Sequence, residues 1–371
     1  MRNKGRKIKR YKGSFDTKQF RRKRIIRWVV VLALLFLASY FLARPILDWG
    51  THLWYFGFKG QPDSSESQSQ TTESTPQPEA TAEPMPTPAP QPSGDWASVS
   101  LQSVATPEQA QQTAQQLAQQ NVKYAVIPLK AEDGTVAYAS AVEKVSGSIS
   151  ETPIDAAAIA ASFKQAGITP VAEIWAFKDP KACYTDRSMA VQYAGEQGML
   201  WLDNAADAGG KPWLNPYSAA ARQYVQDLAL EAVSLGYETI VFSGVQMPQV
   251  NNLSSASFGD TGGKSCDAIL NECIQQWQTA LQQQQAECWF QYSAAAATGE
   301  DLRPAGVAVA SLGMSNLLVQ FPADTADPAA ALQTVSAAAG GKNLICRFAS
   351  QPDDALRQAA QQSGYKEVMI G

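Results

Sequence analysis

Three features of the 371-residue chain predict its architecture. After residue 95, strand-like and helix-like segments alternate, the pattern of an α/β fold with a parallel sheet. Eight strand candidates fit within about 275 residues, close to the ~250 typical of a (β/α)8 TIM-type barrel. Ahead of them stand a strongly basic tail and a charge-free apolar run. The prediction is therefore a (β/α)8 domain preceded by one transmembrane helix and a disordered Pro-rich linker. An open doubly wound sheet is the competing α/β form, but no Gly-x-Gly-x-x-Gly turn opens a helix here.

Residues 1–27 carry 13 of the 30 Lys and Arg residues and a single acid, Asp16. The tail is thus about +12 and the rest of the chain about −16. A basic tail alone would also suit nucleic acid. The apolar run that follows makes it a topology signal instead, and no nucleic-acid partner is expected. Trp28 to Ala43 holds no charge, and its length of about 24 Å falls slightly short of a ~30 Å hydrocarbon core. Ile46 and Leu47 extend it, giving a lipid-spanning helix over 28–47, with Arg27 and Arg44 snorkelling to the two interfaces. Residues 48–60 add a juxtamembrane aromatic segment with Trp49, Trp54, Tyr55, Phe56 and Phe58, rings that settle at headgroup level. A cleaved signal peptide would need a small residue where Phe41 stands before Ala43, so an uncleaved anchor is expected. The positive-inside rule places 1–27 in the cytoplasm and everything beyond the span outside, a single-pass protein of the cell membrane.

Residues 61–94 are rich in Ser, Thr, Gln and Glu, then in Pro from Pro76 to Pro92. Too little there is apolar to offset chain entropy, so the segment reads as a disordered spacer with an extended Pro-rich half.

The folded domain then covers 95–371. Its expected strands are Ala97–Gln102, Lys123–Leu129, Thr169–Phe177, Tyr237–Ser243, Glu287–Tyr292, Asn316–Phe321, Asn343–Phe348 and Glu367–Ile370. Helices are expected over Pro107–Gln120, Asp155–Ala166, Ala219–Leu235, Lys264–Gln285, Pro328–Ala339 and Asp353–Gln362. In a barrel the loops after strand C-termini build the functional face. Two of these loops are long, Lys178–Tyr217 and Gly244–Gly263, and both carry aromatic and polar residues.

Several chemistries drop out. The single histidine, His52, lies beside the membrane, so the domain has no His triad and no His metal site. Five cysteines show no Cys-x-x-Cys spacing, and neither metal nor cofactor is expected.

A series of motifs then occurs in order: Phe177-Lys178-Asp179-Pro180, Gly198-Met199-Leu200-Trp201-Leu202-Asp203, and Pro212-Trp213-Leu214-Asn215-Pro216-Tyr217. Glu231 to Phe242 and Pro248 continue it. Together these resemble the "putative glycosyl hydrolase domain" family of unknown function, found mostly in Gram-positive bacteria, whose members are similar to (β/α)8 glycosidases. The resemblance is most specific over 122–248. It implies acids at two strand ends, but Pro128 and Ser243 stand there in this chain, and Gln246 and Asn215 replace an arginine and a further acid. Lys130 is retained.

Glycoside hydrolysis ordinarily needs two carboxyl groups flanking the bond. The acids left near the functional face are Glu173 and Asp179, taken as the catalytic candidates. On a straight strand they would be ~20 Å apart, which is not a dyad. Strand alternation groups Glu173 with Val171, Trp175 and Phe177 and points it into the barrel, where a charge needs a partner such as Lys130 or Arg347. Candidate binding residues are Trp175, Lys178, Asp203, Trp213, Asn215, Tyr217 and Gln246. The favoured reading is a glycosidase-like barrel that binds a cell-wall or other envelope polysaccharide, or an envelope partner, without catalysis. The alternatives are an active polysaccharide glycosidase with rearranged acids, and a membrane-tethered protein-binding scaffold.

Overall fold

A computed structural model describes residues 94–371 apart from Gln197, Asn251 and Asn252. The anchor expected over 28–47, the aromatic segment and all of the linker but Gly94 lie outside the described residues. Among those described, no helix is long and apolar enough to cross a membrane.

Twelve strands follow in chain order: β1 (Asp95–Ser98), β2 (Val122–Lys130), β3 (Val136–Tyr138), β4 (Ile149–Ile154), β5 (Thr169–Trp175), β6 (Gln192–Tyr193), β7 (Thr239–Ser243), β8 (Ala256–Ser257), β9 (Glu287–Ser293), β10 (Asn316–Phe321), β11 (Asn343–Phe348) and β12 (Tyr365–Ile370). Eight of them pair in parallel in the order β1-β12-β11-β10-β9-β7-β5-β2, and β1 pairs with β2 to close the ring. The predicted (β/α)8 barrel is the fold found. Its helices are α1 (Pro107–Gln119), α2 (Ala156–Gln165), α3 (Pro180–Thr185), α4 (Ala219–Ser234), α5 (Cys266–Gln283), α6 (Ala294–Thr298), α7 (Pro328–Ala339) and α8 (Asp354–Gln362).

The helix starts follow from local chemistry. Thr106 and Gln109 form a reciprocal capping box ahead of α1, with Pro107 at the first helical position. Asp179, Ser218, Asp327 and Asp353 each accept a backbone N–H at the start of α3, α4, α7 and α8. Such caps contribute about 1 kcal/mol each.

Two apolar layers hold the barrel. Between strands and helices, Phe242 stacks on Trp277 at 4.8 Å and on Phe290 at 5.5 Å. Inside the ring, Trp96, Tyr124, Val126, Val171, Val241, Trp289, Leu318, Ile345 and Met369 form a separate buried plug. Trp96 and Tyr124 stack within it at 4.6 Å. The lower barrel is thus filled, which leaves only its upper end for function.

Pro128 fits its strand for a topological reason. The Val126 carbonyl accepts from Val99 N, so Val126 turns its backbone polar groups toward β1. Pro128, two residues on, faces the same side, where β1 has already ended at Ser98. Its missing N–H therefore costs no ladder bond.

The sequence reading did not foresee β3 and β4, which extend the sheet beyond β2 before α2. It also missed the small antiparallel pair β6–β8, which ties the two long loops together, and the short helices α3 and α6.

Candidate functional site

Strand side chains alternate, so the residue two places beyond each plug residue also faces the barrel axis. Going round the ring these are Ser98, Pro128, Glu173, Ser243, Gln291, Gln320, Arg347 and Gly371. One of the eight is a carboxylate. A continuous hydrogen-bonded relay joins most of this layer. Ser243 Oγ donates to Glu173 Oε1 at 2.8 Å, and Gln291 Nε2 donates to Ser243 Oγ at 3.1 Å. Arg347 Nη1 donates to Gln291 Oε1 at 2.6 Å, Nη2 to Ser98 Oγ at 3.2 Å, and Nε to the Gly371 carbonyl at 2.6 Å. Glu173 does point inward as expected. Its direct partner is Ser243, and the guanidinium of Arg347 is reached through the Gln291 amide rather than by contact.

Above this layer opens a cleft of about 510 Å³. Of the expected binding residues, Trp175, Lys178, Asp203, Trp213 and Gln246 line it. Trp175 lies against Gly244, whose φ is +65° and where a Cβ would come within 2.9 Å of the indole. Only glycine satisfies both the backbone angle and the ring. Lys178 is ion-paired with Glu132 and sits 5.7 Å above the Trp213 ring, within cation–π range. Trp213 Nε1 in turn donates to Asp203 Oδ2 at 2.9 Å, while Asp203 Oδ1 accepts from Lys211 N at 2.7 Å. This wall rests on a small core of its own, Val191, Trp201 and Trp213, with Val250 and Leu253 packed against it. Tyr292 completes the floor. Its hydroxyl donates to the Val245 carbonyl at 2.6 Å, and burial pushes its pKa well up.

Four expected site residues, Asp179, Asn215, Tyr217 and Glu173, do not line the cleft. Asp179 is completely buried beneath the cleft. One of its oxygens caps α3 through Ala182 N at 2.8 Å. The other meets Lys130 Nζ at 2.9 Å and the Tyr224 hydroxyl at 3.3 Å. Gly134, at φ +84°, closes over it, since a Cβ there would lie 2.1 Å from Asp179 Oδ1. A carboxylate sealed in this way cannot meet a substrate, which corrects the expectation of a catalytic Asp179. Asn215 and Tyr217 lie outside the cleft lining, and their side chains brace the two long loops. Asn215 Nδ2 donates to the Phe258 carbonyl at 3.0 Å, and the Tyr217 ring packs 5.6 Å from Phe258. The Tyr217 hydroxyl donates to the Lys264 carbonyl at 3.1 Å, and burial, then the neighbouring Cys266, pushes its pKa up to about 12. Glu173 is held under Ser243 and does not itself line the cleft wall.

Glu132 and Gln291 line the cleft without having been singled out from the sequence. Alternation along β9 would have found Gln291, two places beyond the inward Trp289. Glu132 gave no such signal, because it belongs to the extension that carries β3 and β4. Lys130, buried with Asp179, also donates to the Trp175 carbonyl at 2.6 Å and so fixes the strand end that presents the Trp175 ring.

A family model described as "Putative glycosyl hydrolase domain" matches residues 98–308. No match was found among curated proteins. Among solved structures, the PgaB (BpsB) glycoside hydrolase domain from Bordetella bronchiseptica is similar over 76% of this chain and 94% of that one, with a TM-score of 0.54 at 12% identity. The Flavobacterium johnsoniae chitobiase is similar over 75% of this chain, with a TM-score of 0.50 at 9% identity, and this chain spans only 44% of it. At such identities both likenesses concern the fold alone. A hypothetical protein from Ruminiclostridium thermocellum shares 24% identity over 53% of this chain and 96% of that one, with a TM-score of 0.44.

Proposed function

The chain belongs to the family described as "Putative glycosyl hydrolase domain", and from that premise we propose that it binds a cell-envelope glycan at the barrel mouth without hydrolysing it. The observation that carries this reading is the single carboxylate, Glu173, in the ring of eight residues facing the axis above the plug. Glycoside hydrolysis ordinarily requires two carboxyl groups across the scissile bond. Pro128 and Ser243 stand where the family resemblance places acids, and Ser243 engages Glu173 directly.

A cleft whose axial ring holds one carboxylate rather than a pair keeps its ground-state affinity, because only interactions specific to the transition state have gone. The part-exposed Trp175 ring offers an apolar face for a sugar ring, and side-chain amides offer donors and acceptors for hydroxyl groups. Residues 28–47 would hold the barrel at the outer face of the cell membrane, and residues 61–94 would space it from the bilayer.

The test uses the full-length chain in detergent with peptidoglycan and capsule-type polysaccharides, following both retention and released reducing ends. Retention without new reducing ends is expected. Turnover that disappears in Glu173→Gln would overturn the non-catalytic reading and make Glu173 a catalyst. Absence of both retention and turnover would favour a protein-binding scaffold instead.

A further inference from the structure

We infer that the cleft selects uncharged glycans and that Glu132 sets this selectivity by occupying Lys178, a specificity that rests on the glycan reading above. Envelope polysaccharides fall into two electrostatic classes, those that carry phosphate or carboxylate groups and those that carry only hydroxyl and acetamido groups. Recognition of the first class needs cationic donors free to turn toward the ligand.

The cleft offers none among the described residues. Lys178 is the one cation on its wall, beside two carboxylates, Glu132 and Asp203, so the lining is net negative. The Lys178 ammonium is held by Glu132 on one side and by the Trp213 face on the other. Arg347 lies in the layer below and outside the cleft lining, where bonds from Nε, Nη1 and Nη2 to Gly371, Gln291 and Ser98 fix the plane of its guanidinium. Free hydrogen-bonding capacity is of another kind. The side-chain amides of Gln246, Gln249 and Gln320 line the cleft and have no hydrogen-bond partner among the described residues. Each amide presents both donor and acceptor, which matches hydroxyl and acetamido groups and gives no advantage to an anion. The charge arrangement thus repels one class while the free groups suit the other, which is how specificity arises as a difference of affinities.

The Glu132–Lys178 pair is only partly buried, 48% and 32% exposed, so it adds little to stability. Its consequence is electrostatic. Neutralising Glu132 would release Lys178 to an incoming anion.

The experiment compares affinities of the full-length chain in detergent for neutral glucan and N-acetylglucosamine hexasaccharides and for their carboxylated counterparts of equal length. The neutral member of each pair should bind at least about tenfold tighter, the effect of one unit charge roughly 6 Å away in a part-solvated site. Glu132→Gln should raise the ratio of carboxylated to neutral affinity by about fivefold to tenfold, and added salt should shrink that gain. Lys178→Gln should lower the same ratio. Equal or tighter binding of the carboxylated member by the unmodified chain, or a ratio unmoved by Glu132→Gln, would overturn this inference while leaving glycan binding intact. Binding of neither class would overturn the glycan reading and the inference with it.

Discussion

Replacing Lys130 by Met tests how the barrel mouth is braced. Lys130 and Asp179 are 1% and 0% exposed, and their charged atoms meet at 2.9 Å. Methionine keeps most of the aliphatic stem and removes only the ammonium. Asp179 would then keep its bonds from Ala182 N and Tyr224 but face no counter-charge. Breaking a buried ion pair from one side costs about 3–5 kcal/mol. With a urea m-value of about 3 kcal/mol/M, the unfolding midpoint should fall by about 1–1.7 M, read by tryptophan fluorescence. Asp179→Asn keeps a good helix cap but strands the Lys130 ammonium, so it should also be costly. The double variant leaves no uncompensated charge, and its loss should fall short of the sum of the single losses by at least about 2 kcal/mol. Strict additivity, or a midpoint for Lys130→Met within about 0.3 M of the unmodified chain, would refute the account of Lys130 and Asp179 as mutual partners.

The remaining predictions concern charge and topology. Glu287 and Glu367 at the lower end of the barrel both have raised pKa values, from burial first and, for Glu367, also from the charge of Glu287. A group whose folded pKa is raised contributes stability that is complete below its unfolded value and is lost as pH rises through the folded one. Glu367→Gln should therefore become increasingly stable relative to the unmodified chain from pH 4.5 toward neutrality, and a pH-independent difference in Tm would contradict this. Ser243→Asp would set a second carboxylate against Glu173, where the serine oxygen now lies 2.8 Å away. It should cost about 1–3 kcal/mol at neutral pH and recover in acid as the pair takes up one proton, whereas a cost that grew on acidification would refute the like-charge argument. Protease added to intact protoplasts should cut within residues 61–94, release the acidic barrel and spare the basic tail. Protection of the barrel would reverse the proposed orientation.

How much of this was legible in the sequence depends on the range of the signal. Barrel strands and their helices were readable because their cue is local: strand-like and helix-like segments alternate, and each is recognisable within its own length. The extension carrying β3 and β4 lacked such cues. Val136–Tyr138 is three residues long, and Ile149–Ile154 is half-exposed and polar. Their pairing is decided by contacts distant in sequence. The Tyr138 hydroxyl, the Ser140 hydroxyl and Ala141 N all converge on Glu231 of α4, some ninety residues away.

The site divides in the same way. Alternation along β5 was enough to turn Glu173 inward, because facing direction is a property of one strand. Partners are a property of several strands, and there the one-dimensional argument runs out. Lys130 and Arg347 were both plausible counterions for Glu173 from their positions alone. In the closed barrel Lys130 lies past the irregularity that shifts the register between Pro128 and Lys130, and it meets Asp179 instead. Arg347 stands three strands from Ser243 in the ring β7-β9-β10-β11, so its charge reaches Glu173 only through Gln291 and Ser243. The same displacement explains Asp179. In sequence it follows Trp175 and Lys178, both of which line the cleft, yet its N-cap role turns it under α3 and away from solvent. An acid next to a cleft in sequence is therefore a weak indicator of chemistry when it also opens a helix, because the cap claims one carboxylate oxygen and burial forces the other to find a cation.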